Sequence, residues 1–314
     1  MTDRNNPFSV DNLDLTVPSP ARIYDYFLGG KDNFPADREA AEKALSVVPH
    51  GREVAQANRQ FLIGAVRLMA SRGIRQFIDL GTGIPTSPNV HEVARSIHPD
   101  AKVLYVDNDP VVCLHASTLL TNVGDGVASI MGDIRSPQDL VAKRELRDLI
   151  DFTAPVGVLF VAVLHFLTCA DDPLSSVTVL ADRMAAGSYL AISHITSDGT
   201  APAVMNTIES AYGSASAPAV FRTTNEIRAL FAGLELVKPG LVDVSAWRGH
   251  GRIADVEPFA LRFLGGVAKK TEPSLPRCLA PPAPRLFGRA EPLTPEETAI
   301  RKETCREPGQ GQCG

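Results

Sequence analysis

Three aspartates stand where short apolar runs end. Asp79 lies at the close of QFIDL, Asp107 closes VLYVD, and Asp133 follows ASIMG. A carboxylate at a strand exit can accept hydrogen bonds from a ligand's hydroxyl or amine. Directly after Asp79 comes the turn Gly81-Thr82-Gly83. Glycine has no Cβ, so this turn can bend sharply and bring the backbone close to a ligand. Asp107, ending the next run, is placed to take both hydroxyls of a ribose. Asp133 could accept from an adenine amino group, with Ile134 packed on the ring. His165 and His194 follow two later apolar runs and would face the same crevice. Either could line a pocket or do acid–base work, although a histidine at such a place is more often structural.

Each feature also has a plainer reading. A lone GxG is usually a tight strand-to-helix turn. Asp109, just before Pro110, reads as a helix cap. Asp133 could cap the helix opened by Pro137, a role Ser136 suits better. The glycine turn continues as Ile84-Pro85 with no third glycine, which speaks against a dinucleotide resting its pyrophosphate on a helix N-terminus. No GxSxG, HExxH or Walker A sequence occurs, leaving those hydrolase, zincin and NTPase chemistries without support.

The elements that must position these residues follow from periodicity. Strands are expected at Gln76–Leu80, Lys102–Val106, Gly126–Met131, Val156–Val163 and Ser188–Ser193. Helices are expected between them at Asn89–Ile97, Pro110–Leu120, Pro137–Leu149 and Pro173–Met184. Strands as continuously apolar as VGVLFVAVL imply helices on both sheet faces, and the alternation predicts a doubly wound parallel sheet with right-handed crossovers. Ahead of it, Ser19-Pro20 reads as an N-cap and first helical residue, and Gly29-Gly30 as a helix stop. Pro35 opens a second helix, and Arg52 to Ser71 forms a third with apolar residues at helical spacing. After Ser193 come a helix at Pro202–Tyr212, a capping box at Thr223–Glu226, and strands near Leu234–Val237 and Phe259–Val267. The last two are expected to close the sheet with an antiparallel edge.

The chain has 314 residues, a net charge of −5 and 44% hydrophobic residues. That composition suits a globular enzyme-sized core and gives no basic block for nucleic acid. No apolar run would span a membrane. The start MTDRNNPFSVDNLDL lacks a signal-peptide pattern, and the five cysteines are scattered without a CxxC pair. A cytoplasmic protein with reduced thiols and no metal site is the expectation. Residues 1–17 read as a flexible start and 271–314, rich in proline and charge, as a disordered tail.

The chain resembles a family of bacterial S-adenosylmethionine-dependent methyltransferases whose substrates are largely uncharacterised. The resemblance rests on SPARIYDYFLGGKDNFPADREAAE, ANRQFLIGAVR, IRQFIDLGTGIPTSPNVHEVA, VLYVDNDPVV, GDIR, VAVLHF and GSYLAISH, and spans roughly Pro18 to Lys270. It implies a Rossmann-like class I methyltransferase fold: a mostly parallel seven-stranded sheet (73–270) with an antiparallel last strand, under an N-terminal helical lid (18–72). It places the methionine end of the cofactor at Asp79, Gly81, Thr82 and Gly83. The ribose falls to Asp107 and Asn108, the adenine to Asp133 and Ile134, and Val163 and His165 complete the wall. Tyr24, Gly29, Gly30, Lys31 and Asn33 would lie across the cofactor as the lid, with Arg59 nearby. Where the family often carries an acidic run after HF, this chain has Thr168-Cys169-Ala170 before Asp171-Asp172.

The expected function is S-adenosylmethionine-dependent methyl transfer to a small-molecule oxygen or nitrogen acceptor, with His165 and Tyr24 as candidate catalytic contacts. A non-catalytic regulatory protein that binds the same cofactor is the alternative. A nicotinamide dehydrogenase is a third reading, disfavoured by the missing glycine. Nothing in the sequence addresses oligomeric state.

Overall fold

The computed structural model describes residues 14–120, 123–247 and 259–272. Among the described residues no helix is long and apolar enough to cross a membrane. The expected loose start and tail lie outside these residues, apart from 14–17 and 271–272.

Five parallel strands, β1 (Gln76–Leu80), β2 (Lys102–Asp107), β3 (Val127–Met131), β4 (Gly157–Val161) and β5 (Tyr189–Ile195), lie in the order β3-β2-β1-β4-β5. Order reverses between β1 and β4, so a crevice opens there at the carboxyl ends of the strands. Along β1 the residues alternate between two cores. Phe77 joins Phe61 and Met69 on one face, while Ile78 joins Leu140, Leu146 and Leu180 on the other. That division is why the strands read as unbroken apolar runs.

The three helices ahead of the sheet are α1 (Pro20–Phe27), α2 (Pro35–Leu45) and α3 (Gly51–Ser71). Between the parallel strands run α4 (Val90–Arg95), α5 (Pro110–Leu120), α6 (Pro137–Ala142), α7 (Arg144–Leu149) and α8 (Pro173–Arg183). The single helix expected over 137–149 is two, because Lys143 between them is extended (ψ 136°). After β5 come α9 (Pro202–Tyr212) and α10 (Thr224–Ala229), the latter opened by the Thr223–Glu226 capping box.

The sheet ends differently from the expectation. Among the described residues it has eight strands. The antiparallel strand β8 (Phe263–Lys269) pairs β5 on one side, and two-residue strands β6 (Glu235–Leu236) and β7 (Val242–Asp243) pair β8 on the other. Residues 259–262, expected as strand, precede β8 outside it. The two serines expected as caps, Ser136 and Ser19, stand at the N-cap positions without side-chain cap bonds. The Ser19 hydroxyl donates to Asp109 at 2.6 Å.

Candidate active site

A cavity of about 400 Å³ opens at the carboxyl ends of β1, β2 and β4 and is roofed by α1, α2 and α3. That volume lies within the range of small-molecule sites. Its floor begins at the glycine turn. Gly81 and Gly83 have φ of +67° and +66°, a region where a side chain is strained. A Cβ on Gly81 would stand 2.2 Å from Val163 Cγ2, so glycine lets the end of β4 press against the end of β1.

Two buried carboxylates flank the turn. Asp79 accepts from Thr82 Oγ1 at 2.9 Å. Asp107 accepts from the backbone N–H of Gly83 and of Asp109, each at 2.9 Å. Burial pushes both carboxyls up to about 6 against those hydrogen bonds. A desolvated carboxylate with unused lone pairs is strengthened by any donor a ligand brings. Asp133 differs. Burial alone would raise its pKa, but the Arg135 guanidinium grips it in a fork, with Nη2 donating at 2.6 Å, and holds it below the usual range. Asn108, beside Asp107, and Ile134, beside Asp133, also line the cavity.

The roof is clasped to this rim. Arg22 Nε donates to Asp37 at 2.9 Å, and its Nη1 lies 3.7 Å from Asp109. The Ser19 hydroxyl reaches Asp109, and its backbone N–H reaches Asp37 at 2.8 Å. Asp109 also caps α5, accepting from Val111 N at 2.8 Å. Arg59, from α3, lines the cavity and donates to the carbonyls of Thr86 and Pro88.

Tyr24 is on the wall but is not placed as a base. Its hydroxyl donates to the Ala55 carbonyl at 3.0 Å and accepts from Asn58 Nδ2 at 2.9 Å. Burial raises its pKa further. Its only proton is therefore committed to the backbone. His165 is on the wall and nearly enclosed, with Nδ1 unpartnered among the described residues. Burial, then the neighbouring His194 and Arg222, hold its pKa well below the ordinary value. His194, expected to share the crevice, is a buried tie instead. Its Nδ1 bonds the Ile195 carbonyl at 2.6 Å and its Nε2 accepts from Arg222 at 2.8 Å.

Four expected lid contacts are not on the cavity wall. Gly29, at φ +81°, ends α1. Gly30 sits against the Asp25 carboxylate, where a Cβ would fall 1.9 Å from Oδ1. Asn33 is buried and donates to that same carboxylate at 2.8 Å. Lys31 is exposed. These residues build the end of α1 around buried Asp25 rather than reaching the cavity. Sequence reasoning missed the clasp of Ser19, Arg22, Asp37 and Asp109. One signal was present: Arg22 stands beside Ile23 on the buried side of a short helix, where an arginine requires a partner.

Comparison with known proteins identifies the family. A solved structure of a DUF574 family protein from Streptomyces avermitilis is 39% identical, covering 82% of this chain and 99% of its own, with a TM-score of 0.77. A solved candidate methyltransferase from Thermobifida fusca is 36% identical, covering 82% of this chain and 97% of its own, with a TM-score of 0.76. No curated protein matches the chain. The family model described as S-adenosyl methyltransferase matches residues 7–271. The chain thus belongs to the S-adenosyl methyltransferase family: its cofactor is S-adenosylmethionine and its reaction is methyl transfer.

Proposed function

We propose that this protein methylates an oxygen or nitrogen atom of a small-molecule acceptor and that the strand-end rim seats the cofactor. The observation that carries the reading is one continuous wall joining the buried carboxylates Asp79 and Asp107 to His165. When bound, the cofactor supplies an electrophilic methyl group on a sulfonium. The chain's own part is orientation and exclusion of water. Gly81, Thr82 and Gly83 let the backbone approach the amino-acid end, and Asp79 accepts from its amine. Asp107, with Asn108 alongside, takes the ribose hydroxyls. Ile134 packs on the adenine while Asp133, already forked to Arg135, offers a remaining lone pair to its amino group. Val163 and Tyr24 narrow the space, and Arg59 balances the carboxylates from the roof.

A small acceptor in a bacterial cytoplasm, rather than nucleic acid, is part of this reading. The net charge of −5 and the bacterial sources of the two relatives support it. Calorimetric titration of S-adenosylhomocysteine into the full chain tests the residue roles. No heat of binding, or binding unchanged in Asp107→Ala, would overturn them.

A further inference from the structure

The cavity wall changes character along the chain. Among the described residues, its charged side chains all lie between Asp14 and Arg135, and from Val161 to Phe263 there are none. Apart from His165 and Ser216, that second stretch is aromatic and aliphatic. The His165 ring lies 4.3 Å from Phe166 and 5.5 Å from Phe263, and Phe166 lies 5.4 Å from Tyr212. Ile208 and Ala219 complete this part of the wall.

Two facts bear on what fits there. His165 is a buried imidazole whose Nδ1 has no partner among the described residues, and a buried polar ring of this kind is completed by a ligand or a water. Arg222, with Glu226 acting on its charge from beyond ion-pair distance, is held beneath this wall by His194 and the Leu164 and Leu167 carbonyls, at 3.0 and 2.7 Å for the last two. Its charge, with that of the cofactor's sulfonium, repels a cation. The stretch itself carries no lysine or arginine to ion-pair an anion, and an unpaired buried charge is costly. Ring walls favour offset and edge-on packing with another ring.

We infer that the Val161–Phe263 part of the wall holds the methyl acceptor, and that the acceptor is an uncharged aromatic molecule whose hydroxyl or ring N–H hydrogen-bonds His165. This rests on the cofactor lying at the strand-end rim. His165 is then a positioning partner that keeps its ring neutral and orients the acceptor's heteroatom.

The test uses the full chain, first titrated with S-adenosylhomocysteine. Failure at that step removes the cofactor seat and this inference with it, before any acceptor probe is added. The saturated protein is then titrated with 1-naphthol, 1-naphthoate and 1-naphthylmethylammonium, followed by ligand-observed NMR. The expected result is that 1-naphthol binds at least about tenfold more tightly than either charged probe. His165→Phe should weaken 1-naphthol about five- to tenfold with unchanged S-adenosylhomocysteine affinity. Ala219→Leu, which adds bulk to the same stretch of wall, should remove 1-naphthol binding while the cofactor titration stays the same. A charged probe that binds as well as 1-naphthol overturns the inference. So does absence of 1-naphthol binding to the loaded protein, or binding indifferent to both substitutions.

Discussion

At the strand-end rim, Asp79, Asp107 and Asp133 stand at the exits of three adjacent parallel strands. The aromatic wall is assembled from a turn after β4, the end of β5, α9 and β8. The rim depends on local chemistry: a turn, a strand exit and a backbone that comes close. The wall depends on packing between parts of the chain far apart in sequence. Substitutions should therefore act in different ways on the two. On the proposed seating, rim changes should alter cofactor binding and wall changes only what lies beyond it.

The largest expected effect is at the rim's tightest point. Gly81→Ala forces a positive-φ alanine, costing about 1–2 kcal/mol, and drives its Cβ into Val163, costing about 1–3 kcal/mol more. Thermal melting should show a fall of several degrees, and S-adenosylhomocysteine binding should be lost; a variant that melts and binds like the parent would break the contrast. Next, Asp107→Ala removes charge-assisted hydrogen bonds worth about 1.5–3 kcal/mol, so cofactor affinity should fall on the order of 10- to 100-fold. The circular dichroism of the variant should match the parent.

The rim also titrates where the wall does not. Asp79 and Asp107 have carboxyls raised from 3.8 to about 6. In the free protein the fold favours their protonated forms. That contribution to stability is fully present below 3.8 and lost as pH rises through about 6. On the proposed seating, cofactor binding uses the charged forms, so S-adenosylhomocysteine affinity should rise as pH climbs through about 6, by at most about tenfold per unit per group. His194, pushed down to about 3 mainly by burial, works in the opposite direction: its contribution is present above 6.5 and lost as pH falls through about 3. Affinity that does not change between about pH 5 and 7 would show that these carboxylates do not touch the ligand. The smallest effect is expected at Arg135→Ala. The pair it forms with Asp133 is partly solvated, so stability should shift by about 0–1 kcal/mol and cofactor affinity by a few-fold at most.

Sequence reasoning reached the rim because its signals are short-range: an apolar run, an aspartate and a glycine turn lie within a few residues. It located β1, α5 and α9 to the residue. It did not see the break at Lys143, which no proline or glycine marks, or the two-residue strand β7. It treated Lys31 and Asn33 as ligand contacts because polar residues after a glycine stop look like a loop closing over something. The structure turns Asn33 inward to Asp25. Of the aromatic wall it reached Val163 and His165 at a strand exit, but Ile208 and Tyr212 left only ordinary helical periodicity, and periodicity reports burial without saying what is buried against it.

The sheet's two margins have a further consequence, for association between chains. At the β8 side, the outermost backbone belongs to strands of two residues each, too short to template a long intermolecular ladder. On the opposite side β3 presents five residues, Val127–Met131, paired only to β2 among the described residues. If a second polypeptide joins this sheet by strand addition, the open hydrogen-bonding groups of β3 are where it docks. A charged or proline substitution along β3 is therefore the change that would block strand addition at this margin.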